Sequence, residues 1–164
     1  MPEPRPVAPA FLRFDLCGQP FALRQSCLVS LEYIEDVEMS EAEDAVRGEI
    51  RLGPRVIPVF ELAAWLLPEV LDDEAGRRMA LVIRAGETVF AFLVDAAQAV
   101  ATQGLRLHEL PACMQGAGPY EGVLEHRPVA GEIELAPALD AVRLAGLLPL
   151  STAVPASRPG SLQP

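Results

Sequence analysis

Three side chains in the last third of the chain have the chemistry to bind a metal ion: His108, Cys113 and His126. A structural zinc site needs four ligands in a tetrahedral arrangement, which proteins usually supply as closely spaced pairs. The spacing of these three residues matches no such arrangement, and no fourth ligand is evident from the sequence. We therefore expect neither a metal site nor another cofactor.

Other residues could support catalysis only under special conditions. Asp15 and Asp95 could form a carboxylate pair for acid–base chemistry if the fold joined them, but both occupy positions where a polar outer face is expected. Cys17 lies beside a turn and has no neighbouring histidine to activate its thiol. Gly86 and the glycines at 116–118 lack the lysine and the strand-to-helix context of a phosphate loop. The sequence favours a non-catalytic protein, with a small β-barrel enzyme as the alternative.

Composition and charge restrict the partners of the chain. Of its 164 residues, 51% are hydrophobic, which is enough to build a buried core. The 13 basic against 23 acidic residues give a net charge of −10 with no basic stripe, so nucleic acid and anionic membranes are disfavoured. No uncharged run reaches the ~18 residues of a membrane helix, and we expect no direct membrane insertion. The proline-rich start resembles no signal peptide, and an odd number of cysteines without metal-type spacing suits a reducing compartment, so a cytoplasmic location is predicted.

Both ends of the sequence differ in composition from the middle. Residues 1–10 and 149–164 together hold eight of the 16 prolines. Such segments favour extended, solvated conformations, either as simple solubility tails or as a docking peptide. We therefore predict disordered tails at 1–10 and 149–164 around a folded region at 11–148.

The folded region consists mainly of short strands separated by glycine turns. Residues 11–16 alternate apolar and polar side chains, and a second apolar run at 21–23 follows the turn at Gly18. Further strands are predicted at 55–60, 79–85, 88–95, 120–124 and 131–135, with Pro58 at an edge or a bulge. Residues 70–78 are polar and predict a surface loop, and Pro137 begins a closing helix at 137–148. Many short strands with little helix indicate barrels or a sandwich.

Two of these hairpins resemble each other. Residues 16–23 and 84–92 each contain a strand end, a glycine turn with Gln or Glu, and a Phe-Ala-apolar strand. This similarity suggests an internal repeat of hairpins.

Residues 32–44 carry seven carboxylates and no basic residue. One interpretation is a solvated strand end and loop. The other is a docking edge for a basic partner, with Glu35 and Asp36 as candidate contacts.

The segment GEIRLGPRVIPVFEL at 48–62 resembles the signature of CheW-like domains, in which a strand ending in Asn-Leu-Arg-Gly is followed by a basic residue and Val-Ile-Pro-Val. The matching residues are Gly48, Leu52, Arg55, Val56, Ile57, Pro58, Val59, Glu61 and Leu62. The order of the surrounding hairpins agrees over about 11–148. The central stretch is the most specific part of the resemblance.

The resemblance implies a mainly β fold of two intertwined five-stranded SH3-like β-barrels with short helices, one at about 11–70 and the other at about 79–135. It also implies a non-catalytic adaptor of bacterial chemosensory signalling. Such a protein bridges the signalling domain of a methyl-accepting receptor to the regulatory domain of a CheA-type histidine kinase. Partner grooves and strand edges would do this work.

The chain departs from the family at the tip of the central hairpin, where Gly53-Pro54 replaces Arg-Gly. Pro54 fixes φ near −65° and removes a hydrogen-bond donor, so the turn must differ in shape. The resemblance implies partner contacts at Arg51, Leu52, Gly53, Pro54 and Arg55, with the two flanking arginines able to replace the missing one. The alternative is an auxiliary CheW-like protein of pili or gliding motility signalling that binds only one partner.

The same strand is expected to supply core residues, namely Val56, Ile57, Val59 and Leu62. An aspartate at Val56 or at Ile57 would then place an unpaired charge in the core. Such a charge costs enough free energy to unfold a domain of ordinary stability.

Overall fold

The computed structural model describes residues 10–41, 46–69, 76–100, 104–116, 118–127 and 131–149. The predicted tails therefore lie outside the described residues except for Ala10 and Pro149, as do residues 70–75 of the predicted loop and 42–44 of the acidic stretch. Twelve strands and two short α-helices form within the described ranges. In chain order they are β1 (Phe11–Leu16), β2 (Gln19–Arg24), β3 (Leu28–Tyr33), β4 (Glu38–Met39), β5 (Val46–Leu52), β6 (Arg55–Phe60), α1 (Ala63–Leu66), β7 (Met79–Ala85), β8 (Thr88–Val94), β9 (Ala96–Ala99), β10 (Leu105–Glu109), β11 (Tyr120–His126), β12 (Glu134–Leu139) and α2 (Ala141–Leu147).

The strands form two curled sheets, and each sheet contains strands from both halves of the chain. The first sheet has the order β10-β11-β12-β2-β1-β9, and the second has the order β3-β7-β8-β6-β5-β4. The edge strands of the second sheet, β3 and β4, are joined by residues 34–37 alone, so this sheet must curl to bring its edges together. The predicted mainly β, intertwined architecture is confirmed. Each sheet has six strands rather than five, and neither sheet follows the predicted bounds 11–70 and 79–135, because β1 and β2 pair with late strands.

The strand order also confirms the predicted internal repeat. Strands β1 to β6 of the first half occupy the places that β7 to β12 occupy in the second half, so the two sheets follow one plan. The register of the β5–β6 pair agrees residue by residue with that of the β11–β12 pair. Gly48 opposes Val59 beside a bulge in the second sheet, and Gly122 opposes Ala138 beside a bulge in the first. The same plan therefore governs all the strands of the described residues.

A shared apolar cluster holds the two sheets against each other. Phe14 of the first sheet stacks on Phe21 at 5.7 Å between ring centroids and meets Phe92 of the second sheet at 5.3 Å. Each sheet encloses a further cluster on its other face. The second sheet encloses Val37, Ile50, Ile57, Val59, Ala80, Val82, Ala91 and Leu93, and the first encloses Phe11, Ala22, Leu124, Ala136 and Ala138.

One predicted core residue lies on the surface. Ile57, Val59 and Leu62 are buried, but the side chain of Val56 is 42% exposed. Successive side chains of a strand point to opposite faces. Because Ile57 faces the interior of the second sheet, Val56 must face outward, and the prediction for Val56 was wrong.

Two of the prolines that lie in strands were also placed incorrectly. Pro137 lies inside β12 rather than in a helix, and Pro58 lies in β6, which is a central strand without a bulge at that residue. Both are tolerated because the parallel pairing of each strand begins only at the next residue, at Ala138 and at Val59. The closing helix starts at Ala141, where the side chain of Asp140 accepts a hydrogen bond from the Arg143 amide at 3.0 Å.

Candidate partner-binding surface

The tip of the β5–β6 hairpin is a two-residue turn made by Gly53 and Pro54. Gly53 has a φ of 60°, and a proline cannot adopt positive φ, so the turn has the pattern of type II′, which places glycine first. A type I′ turn would need positive φ at both residues. Both turn residues are exposed, as is Arg55, so the family departure changes the shape of a solvent-facing tip.

A continuous surface runs from this tip across three strands. Arg51 pairs with Val56, and Glu49 pairs both with Pro58 and with Glu38, so these five side chains share the outer side of the second sheet. We call them the hairpin face. The Arg51 Nε atom lies 3.8 Å from Glu38 Oε1, and both side chains are about two-thirds exposed. The surface thus combines one exposed aliphatic side chain with charges.

The predicted contact residues border this surface unevenly. Leu52 packs partly against the second-sheet cluster, and Arg55 is its cross-strand partner, so both lie on the side opposite Arg51. Glu35 and Asp36 are exposed in the short turn that leads into β4. The predicted contacts at the hairpin tip and the predicted pair Glu35 and Asp36 therefore both flank the hairpin face. Of all these residues, only Arg51 belongs to it.

The sequence did not reveal a second exposed feature, the edge strand β3. Its residues Val29, Leu31 and Tyr33 are 44%, 38% and 65% exposed and alternate with half-buried residues. We call these three residues the β3 edge. An apolar strand at the edge of a sheet offers both unpaired backbone groups and side chains to another chain. The alternation of side chains along β3 was the available signal. Such alternation normally indicates that the apolar side chains face the core, so it did not predict an exposed apolar edge.

The residues with metal-binding chemistry do not converge. His108 and His126 lie on opposite sides of the first sheet, because His108 pairs with Val123 and His126 follows it at odd spacing in the same strand. Cys113 is exposed in a short turn before β11. Within the described ranges, no group of three His, Cys, Asp or Glu residues could hold a metal ion.

The carboxylate pair considered for catalysis is joined through the backbone rather than through its side chains. The Asp95 amide donates to the Asp15 carbonyl at 2.9 Å. The carboxylates have different arginine partners, since Asp15 lies 3.4 Å from Arg13 and Asp95 accepts from Arg77 at 2.5 Å. Both carboxylates therefore act in ion pairs.

Arg77 was predicted to lie in a surface loop, but its side chain is only 2% exposed. It also donates to Glu61 at 2.9 Å and to the Cys17 sulfur at 3.2 Å. Burial alone would lower the pKa of Arg77, and the hydrogen bonds to Glu61 and Cys17 outweigh it, so the pKa rises above its usual value. This charged cluster connects the start of α1, the approach to β7 and the end of β8.

Comparison with known proteins places this arrangement in a family. The CheW-like domain matches residues 10–127. The chain belongs to the CheW-like domain family. It is similar in fold to the scaffolding protein TtCheW from Thermoanaerobacter tengcongensis, with a TM-score of 0.57 and 13% identity over 84% of this chain and 87% of the other. No curated protein sequence matches the chain.

Membership of the CheW-like family makes this a domain of the scaffold and adaptor class used in chemotaxis signal transduction. Neither helix in the described part of the chain is long and apolar enough to cross a membrane.

Proposed function

We propose that this chain is a non-catalytic adaptor in bacterial chemosensory signalling, located in the cytoplasm, that couples receptors to a CheA-type histidine kinase. Family membership supports the class of function. The observation that carries the proposal is the exposed β3 edge next to the acidic turn at Glu35 and Asp36. Such a surface suits a protein partner with apolar and basic side chains.

The two partners differ in how strongly the sequence supports them. We assign the regulatory domain of the kinase to the β3 edge, because exposed apolar side chains on an edge strand suit a contact with another folded domain. The hairpin tip carries the departure, because Gly53-Pro54 stands where the family has Arg-Gly. Receptor binding through this tip then depends on Arg51 and Arg55, which project from opposite sides of the hairpin.

A capture experiment tests the adaptor role. The tagged full-length chain, expressed at its native level, should recover a CheA-type kinase and a methyl-accepting receptor from its own cells. A Leu31→Asp, Tyr33→Asp variant should lose the kinase, while Val142→Asp, which changes an exposed aliphatic residue on α2, should keep it. Recovery of neither partner by the unmodified chain would contradict the proposal.

The second candidate is an auxiliary CheW-like protein, for example in pili or gliding motility, that binds the kinase but not the receptor. The type II′ turn with an imino acid at the exposed tip favours it, because the tip offers neither the arginine nor the backbone donor that the family has there. The change Gly53→Arg, Pro54→Gly should then create receptor binding. If the unmodified chain already binds the receptor as well as this variant does, the chain couples both partners.

A further inference from the structure

A groove of about 490 Å³ opens beside the first sheet. Its wall comes from the end of β2, from β10 and the loop that follows it, from the start of β11 and from the start of α2. We call it the first-sheet groove. Pockets of this size in other proteins hold small organic ligands.

The internal repeat shows that the shared strand plan does not by itself create this groove. The paired registers place Leu107 and Arg24 of its wall at the positions that Val37 and Leu93 occupy in the second sheet. Val37 and Leu93 are buried in the apolar cluster of that sheet. Leu107 is only half-buried, and the side chain of Arg24 is 40% exposed. The groove therefore results from the side chains of the first sheet.

Two guanidinium groups line the groove, and both are held in place by acceptors of the chain itself. Arg24 donates through Nε and Nη2 to the carboxylate of Glu121, at 2.7 to 3.1 Å. Arg143 donates through Nη1 to the Tyr120 carbonyl at 2.8 Å. Within the described ranges, Nη1 of Arg24 and Nη2 of Arg143 have no acceptor, so each group keeps a donor for the carboxylate of a ligand.

The same wall carries two carboxylates that can accept further hydrogen bonds. Asp140 caps α2 by accepting from the Arg143 amide through Oδ1, which leaves Oδ2 available. Glu109 is exposed at the end of β10, and no described residue donates to it or forms an ion pair with it. An ammonium group has three donors and no acceptor, so it suits these two carboxylates.

The wall is fixed before any ligand arrives. The Asp140 amide donates to the Pro119 carbonyl at 2.8 Å and so joins the start of α2 to the approach to β11. On the other side Gln115 donates through Nε2 to the Leu110 carbonyl at 3.2 Å, within the loop after β10. Leu110 and Leu107 add apolar surface to the groove. A wall that is already ordered loses little conformational entropy when a ligand binds.

We propose that the first-sheet groove binds a small zwitterion with an apolar body, of the size of a dipeptide. The guanidinium groups of Arg24 and Arg143 bind its carboxylate, Glu109 and Asp140 bind its ammonium group, and the two leucines contact its side chains. A simple cation would meet the two arginines, and a simple anion would meet the carboxylates, so only a ligand with both charges satisfies the whole wall. The site does not depend on the adaptor role, since it requires only this chain.

An NMR titration of the full-length chain, labelled with ¹⁵N, tests the site with leucyl-leucine as the probe. The amide signals of Gln115, Glu121 and Arg143 should shift saturably, while those of the β3 edge should stay in place. N-acetyl-leucyl-leucine lacks the ammonium group and leucyl-leucine amide lacks the carboxylate, so each should bind about tenfold more weakly or worse. Absence of saturable shifts, shifts outside the groove or equal binding of all three probes would overturn the proposal.

Two substitutions test which wall residue binds which end of the ligand. Asp140→Asn removes the charge but keeps an acceptor for the cap of α2, and it should remove most of the advantage of leucyl-leucine over its N-acetyl form. Arg143→Gln should instead remove most of the advantage of leucyl-leucine over its amide. Circular dichroism should show both variants folded. The matched controls Glu87→Gln and Arg84→Gln change exposed charges on the β7–β8 hairpin and should bind all three probes as the unmodified chain does. Unchanged binding by both groove variants would place the ligand elsewhere and overturn the proposal.

Discussion

The two sheets share one strand plan, but their interiors differ. In the second sheet Val82 and Leu93 are buried in an apolar cluster. The paired registers place Arg13 and Arg24 at the corresponding positions of the first sheet, with alanines beside them at positions 22, 136 and 138. The same backbone therefore encloses a packed apolar interior in one half and a partly charged, less filled interior in the other.

The charged interior of the first sheet is stabilised locally. Arg24 donates to both carboxylate oxygens of Glu121, at 2.7 to 3.1 Å, and lies 5.5 Å from the centre of the Phe11 ring. Beside this pair the first sheet opens into a groove of about 490 Å³, with Leu107 and Asp140 among its lining residues. Because both interiors form on the same strand plan, strand pairing and the shared cluster define this fold more than the interior of either sheet does.

The largest effect is expected from neighbouring substitutions on the two sides of β6. Ile57→Asp buries an unpaired charge inside the second sheet and should unfold the chain, at a cost of about 4 kcal/mol or more. Val56→Asp changes an outward side chain and should cost under about 1 kcal/mol. Urea unfolding followed by circular dichroism measures both. Equal stabilities of the two variants would show that β6 does not alternate as described.

The next effect concerns the buried arginine between the sheets. Arg77→Met removes the guanidinium that donates to the buried Glu61, and we expect a loss of about 3 kcal/mol. The matched control is Arg24→Met, whose side chain is 40% exposed, with an expected loss of about 1 kcal/mol. Thermal unfolding compares the two variants. A larger loss of stability for Arg24→Met would show that the ion pair of Arg24, and not the cluster around Arg77, stabilises the fold more.

A smaller effect should separate the two interiors directly. Leu93→Ala creates a cavity in the packed second sheet and should cost about 2 to 3 kcal/mol. Arg24→Ala, at the corresponding position, should cost about 1 kcal/mol because solvent already reaches that side chain. Urea unfolding measures both costs. The midpoint should shift while the slope of the unfolding free energy against urea concentration stays the same. If both changes cost the same, the first sheet is packed as tightly as the second.

The smallest effect is a change in the titration of the Glu125 carboxyl group, which lies on the outer side of the first sheet. The Arg127 hydrogen bond lowers the pKa of Glu125, with smaller contributions from His108 and Arg106. A lowered pKa in the folded chain contributes stability above the pKa of the unfolded chain, and this contribution is lost as the pH falls through the folded value. Arg127→Gln should therefore raise the pKa of Glu125 toward its ordinary value, as measured by NMR titration. An unchanged pKa would mean that Arg127 does not hold this carboxylate.

The sequence predicted the local features of the fold well. Turn chemistry at Gly18 and Gly86 predicted two hairpins that form the start of each half, because such turns depend on a few neighbouring residues. The same hairpins predicted the repeat. The parallel pairing of β12 with β2 could not be predicted, since it joins residues over a hundred positions apart and leaves no local signal.

The candidate surface was harder to predict. The run around Val56 is continuously apolar, so no periodicity indicated which side chains face outward. The β3 edge was missed because exposure of an edge strand depends on which strand lies beyond it. Arg77 was assigned to the surface because its burial requires carboxylates from two distant segments.

We propose that the β3 edge binds the regulatory domain of a CheA-type kinase. Isothermal titration calorimetry of the full-length chain with the purified regulatory domain of a CheA-type kinase from the same cell tests it most directly. We expect saturable binding that the Leu31→Asp, Tyr33→Asp variant weakens by about tenfold or more, while Val142→Asp leaves it unchanged. Absence of binding by the unmodified chain, or equal binding by the β3 edge variant, would contradict the account.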